Sequence, residues 1–115
     1  MSGSKDKLVF LWSTEDRGIA LNMIFMYTLN AKRQGWWDDV TLLIWGPSAR
    51  LLAEDRELQE RLAELKEEGV ALEACKACAE NYGVDEALSD LGVNVYYIGE
   101  QLTKYIKEGR RILSL

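Results

Sequence analysis

A chain of 115 residues, 48% hydrophobic and 29% charged, has the make-up of one folded domain and is too short for two cores. Its net charge of -5 argues against non-specific nucleic-acid binding and against an anionic membrane surface as partner, both of which need a basic face. Without a single histidine it lacks Ser-His-Asp and Cys-His catalysis and imidazole-ligated metal sites, so any proton transfer falls to carboxylate, lysine, tyrosine, thiol or water.

Residues 1–6 read as a flexible N-terminus, and no apolar signal-peptide core follows them. No run approaches the roughly 20 apolar residues of a membrane span, and a soluble, cytoplasmic protein is expected. Leu8-Val9-Phe10-Leu11-Trp12 is apolar without alternation, the pattern of a parallel strand covered on both faces. Ser13 and Thr14, followed by Glu15 and Asp16, predict a hydroxyl-capped helix over 15–34 that ends at Gly35. That helix carries Ile19, Ala20, Leu21, Met23, Ile24, Phe25, Met26, Tyr27 and Leu29, which leaves little polar face and points to a second cover, a neighbouring subunit or, in the plainer reading, loops of the same chain.

A second strand is expected over 40–45, central in the sheet, and Gly46-Pro47-Ser48 breaks it. One helix is expected over 49–68, solvated along its charged face, with Glu57 and Arg61 as an i,i+4 pair. Gly69 closes it. A third strand over 70–74 leads to Cys75 and a short helix through Tyr82 that stops at Gly83. Asp85 is expected to cap a helix over 86–91. A strand over 93–98, a helix over 100–108 and a last strand over 110–114 complete the chain. Strands alternating with helices predict right-handed crossovers, and with them an α/β fold of three layers, α/β/α, around a mainly parallel five-stranded sheet. Chemistry in such sheets gathers at the carboxyl ends of the strands.

Cys75-Lys76-Ala77-Cys78 stands at one of those ends. A helix start favours a thiolate on Cys75, Lys76 adds a positive charge, and Cys78 lies one turn on. A thiolate there can attack a sulfane sulfur or a disulfide, and the second thiol can resolve the product. The open alternatives are inert packing of two small apolar side chains and a structural zinc, which wants four ligands where one chain offers two thiols. Ser48 either caps its helix or turns backbone N–H groups toward a small sulfur oxyanion near Cys75. Trp12, Trp45 and Tyr82 would line such a pocket, core packing being the other role of both tryptophans. No cofactor is expected. The first strand-helix turn, Ser13 to Gly18, sets two carboxylates where a phosphate would sit and has no glycine-rich cradle.

The opening strand, the apolar first helix with Leu21-Asn22-Met23 and Tyr27, the run Leu43-Ile44-Trp45-Gly46-Pro47-Ser48, and Cys75 with Gly83 eight positions later together resemble the DsrE/DsrF-like family of small sulfur-relay proteins. The resemblance covers residues 7–115 as one domain. It implies a parallel five-stranded sheet, homo-oligomers (trimer or hexamer) packed through helices, and a persulfide carrier in which Cys75 takes the sulfur and passes it between donor and acceptor proteins. The chain differs from relay subunits in adding Cys78 and in having Lys76 after the active cysteine. A thiol-disulfide redox protein cycling Cys75 and Cys78, and a non-catalytic oligomeric module, stand as the other readings, with Lys76, Ser48 and Tyr82 as supporting pocket residues.

Overall fold

The computed structural model describes residues 6–115, so the expectation of a flexible N-terminus over 1–6 lies outside the described residues except at Asp6. Five strands, β1 (Lys7–Trp12), β2 (Asp39–Ile44), β3 (Ala71–Cys75), β4 (Asn94–Tyr96) and β5 (Arg111–Ser114), form one sheet in the order β4-β3-β2-β1-β5. Every pairing is parallel, with Leu11 beside Leu43, Leu43 beside Glu73, and Cys75 beside Tyr96. β2 is central, and both it and β1 are built from apolar and β-branched residues because helices cover them on two sides.

The first helix, α1, runs over 17–33. The others are α2 (Ser48–Glu54), α3 (Arg56–Glu67), α4 (Lys76–Tyr82), α5 (Asp85–Asp90) and α6 (Gly99–Lys107). From β1 to β4 the chain steps always in one direction, and right-handed crossovers carry α1 to α5 over one face. From β4 it must return to the free edge of β1, and the reversed step carries α6 over the other face. Packing follows this division. Leu8, Phe10, Trp12, Leu42, Ile44 and Leu72 meet the first helical layer, whereas Val9, Leu43 and Cys75 meet Ile98 and Tyr105 of the α6 side.

Several local expectations are corrected. α1 is capped by Asp16, whose carboxylate accepts the Ile19 N–H at 2.9 Å, while the Thr14 hydroxyl oxygen accepts the Asp16 N–H at 3.0 Å. A carboxylate one turn closer to the helix displaces the hydroxyls from the capping position. Inside α1, Ala20–Phe25 forms a π-helical stretch between two α segments, Arg17–Ile19 and Met26–Arg33. Ala20, Ile24, Phe25, Thr28 and Ala31 face the sheet, and Phe25 meets Trp12 edge-on at 5.0 Å between ring centroids.

The helix expected over 49–68 is two helices. Asp55 ends α2 in extended geometry (φ -110°, ψ 109°) and caps α3 by accepting the Leu58 N–H at 3.0 Å. Glu57 pairs with Arg17 rather than Arg61, and Arg61 pairs with Glu64. Arg17 also reaches Asp55 at 2.5 Å, fastening the start of α1 to the α2–α3 break. Asp85 is the first residue of α5 and Val84 holds the capping position, with no side-chain bond.

Candidate functional site

β3 ends and α4 begins on one residue. Cys75 closes the strand and occupies the N-cap of the helix, with φ -70° and ψ 117°. Its sulfur accepts the Cys78 N–H at 3.3 Å. A cap residue and the residue three further on face each other in this arrangement, which is why a C-x-x-C spacing brings both sulfurs to one spot. Gly46, just beyond β2, donates its N–H to the Cys78 sulfur at 3.3 Å. Its φ of +73° is left-handed, a turn that glycine makes without steric cost. Each sulfur thus has one backbone N–H aimed at it.

Cys75 is 6% exposed and Cys78 is half-buried, and both are free thiols. Burial pushes the Cys78 thiol up from its ordinary value. The neighbouring Cys75 thiol adds to the rise and the Gly46 N–H opposes it.

A second cluster adjoins the pair and was not read from the sequence. Alternation along β3 sets Glu73 on the same sheet face as Cys75. Its carboxylate accepts the Tyr96 hydroxyl at 2.7 Å and the Tyr105 hydroxyl at 3.0 Å. Tyr96 is the β4 register partner of Cys75, so the network forms one side of the cysteine's surroundings. Burial, then the Glu73 carboxylate, pushes both phenols above the ordinary tyrosine value; for Tyr105 the Arg110 guanidinium, 4.2 Å from the ring centroid, works the other way. The signal available was position: Glu73 lies two residues before Cys75 in a strand. Its tyrosine partners come from two later elements, and no local pattern connects them.

The remaining sequence-derived candidates are held elsewhere. The Ser48 hydroxyl is fully buried and donates to the Trp12 and Trp45 carbonyls at 2.5 and 3.1 Å, tying the ends of β1 and β2. It neither caps α2, where Pro47 holds the cap, nor opens onto a pocket. The Lys76 ammonium sits 5.3 Å from the Tyr97 ring centroid, drawn to an aromatic face. Tyr82 lies at the far end of α4 beneath the Arg50 guanidinium. Trp12 is core, as expected, but Trp45 is 40% exposed because it falls one residue beyond β2, outside the covered sheet. Among the described residues no group of three or more Cys, Asp or Glu gathers as a metal site, and no helix is long and apolar enough to cross a membrane.

Residues 7–115 match the DsrE/DsrF-like family. Among solved structures, the chain is similar to BT1422, a conserved protein of unknown function from Bacteroides thetaiotaomicron, with 42% identity and a TM-score of 0.93 over 96% of this chain and 95% of that one. The ychN protein of E. coli shares the fold at 15% identity and a TM-score of 0.72, over 96% of this chain and 99% of its own. MTH1491, a protein of unknown function from Methanobacterium thermoautotrophicum, does so at 20% identity and a TM-score of 0.68, over 95% and 98%. No curated protein matches the chain.

Proposed function

Because this chain belongs to the DsrE/DsrF-like family, we propose that it is a sulfur carrier that accepts sulfane sulfur as a persulfide on Cys75 and hands it to a partner protein. The observation that carries the reading is the placement of Cys75, on the last residue of a strand and the cap of a short helix, with a backbone N–H on its sulfur. A thiolate attacks a sulfane donor, the donor's leaving group departs, and the outer sulfur remains on Cys75. The low exposure of that residue favours retention of the cargo away from bulk solvent. Its partners would be a donor and an acceptor protein, in a compartment that keeps thiols reduced, the cytoplasm.

The oligomer belongs to the same proposal. Met23 and Met26 of α1 are 50% and 54% exposed and, with Trp36 and Leu113, line an apolar groove of about 530 Å³ between α1 and the edge strand β5. Copies of this chain packing through α1, as a trimer or hexamer, would cover it.

The test is intact mass after the reduced protein meets a sulfane donor. The carrier reading expects the wild type, or a variant in which the second thiol is blocked, to gain about 32 Da, and Cys75→Ser to gain nothing. A gain that persists in Cys75→Ser, or none in any form, overturns it. Tolerance of both cysteine substitutions by every measured property would leave the oligomeric-module reading in its place.

A further inference from the structure

We infer that Cys78 resolves the persulfide carried by Cys75, expelling the outer sulfur as hydrosulfide and leaving a Cys75–Cys78 disulfide. The inference rests on the carrier reading and adds a reductive fate for the cargo. Three observations carry it. Cys75 caps the helix and Cys78 stands three residues on, with the Cys78 N–H donating to the Cys75 sulfur at 3.3 Å. The Gly46 N–H donates to the Cys78 sulfur at 3.3 Å and holds it in place. Cys75 itself is 6% exposed, so the thiol already beside it has an advantage over any thiol arriving from solution. Such enforced proximity is worth orders of magnitude in effective concentration.

The step balances. The Cys78 sulfur attacks the inner, carbon-bound sulfur of the persulfide. The bond between the two cysteine sulfurs forms and the bond to the outer sulfur breaks. That sulfur leaves with the electron pair and takes the proton of Cys78, departing as hydrosulfide. It is reduced to the sulfide level, and the two cysteines are oxidised to the disulfide. A dithiol reductant from solution reopens the disulfide, returning two electrons and two protons. The Cys78 proton passes to the outer sulfur, so that the attacking species is the thiolate. Attack on the outer sulfur instead would merely move the persulfide from one cysteine to the other and release nothing. Sulfane sulfur enters this cycle and free sulfide leaves it, so the reaction that consumes the product is one that fixes hydrosulfide.

The experiment uses the full chain, reduced and kept free of oxygen, with a thiosulfonate as donor, because its by-product is a sulfinate and not sulfide. Wild type is expected to release about one hydrosulfide per chain and to end about 2 Da lighter. Cys78→Ser, and independently Cys78→Ala, are expected to hold a stable gain of about 32 Da and to release no sulfide. If wild type keeps the same gain as long as the variants do, without the lighter species, resolution by Cys78 is overturned while the carrier reading stands. If the Cys78 variants never take up sulfur, both fall together.

Discussion

Glu73 is the acceptor for two phenols that burial has deprived of water, and this makes Tyr96 and Tyr105 alkaline sensors of the fold. A phenol whose folded value lies above its unfolded value near 10 stabilises the fold fully below that pH, and the contribution is lost as pH rises through the folded value. The urea midpoint of the wild type is therefore expected to fall above about pH 10, and Tyr96→Phe to flatten that decline. An unchanged slope in Tyr96→Phe would show that the phenol is not the group responsible. Ser48 shows at the same scale why a residue type does not announce its task. A serine after Gly-Pro at a helix start reads as a cap, yet its acceptors are carbonyls at the ends of two strands, one of them 36 residues away. The cysteine pair was legible because its spacing alone decides its geometry once a helix begins at Cys75. Glu73 was not, because its meaning depends on where two tyrosines from other elements arrive.

At the scale of elements, the strands declared themselves. Unbroken apolar runs are what doubly covered parallel strands require, and the order of strands and helices left few topologies. What escaped were interruptions within helical patterns. The π-helical stretch of α1 adds a residue to one turn without altering the apolar character of the segment, so composition carried no trace of it. The break between α2 and α3 hangs on Asp55, a capping residue by type set within an otherwise continuous helical pattern, which takes extended geometry here and is steadied by the Arg17 ion pair. The Leu58 N–H, and then Arg17, hold the Asp55 carboxyl below its ordinary value of 3.8. A lowered carboxylate stabilises the fold above that value, and the contribution disappears as pH falls through the folded one. Asp55→Ala is expected to cost about 0.5–2 kcal/mol near neutrality by urea unfolding. Its deficit against wild type should narrow as the medium is taken below about pH 3.8. A deficit that stays constant into acid would assign the effect to packing instead.

At the scale of the molecule, the two faces of the sheet are unequally dressed. Among the described residues, five helices lie over one and α6 alone over the other, a division dictated by the reversal of step after β4. Cys75 and Cys78 meet the thinly covered side, and the apolar groove beside α1 opens at the far edge, next to β5. The nearly all-apolar first helix suggested that something besides the sheet must cover it, and Met23 and Met26 are the residues left over. Met26→Glu is expected to shift the particle mass in light scattering from an oligomer toward one chain, while persulfide loading of Cys75 persists. A wild-type protein that scatters as a single chain would remove the subunit role of this groove.

The same reversal has a consequence in time. During synthesis β1 emerges first, yet its neighbour on one side is supplied by residues that include Ile112 and Leu113. Throughout the interval the outer edge of β1 offers unpaired N–H and C=O groups on an apolar, β-prone segment, the template on which nascent chains stick to one another. Slow passage of the ribosome through the region encoding α6 would lengthen that exposure. Yield from an expression host should accordingly respond to codon choice in the stretch encoding α6, although the residues placed at risk, those of β1, were made well before it.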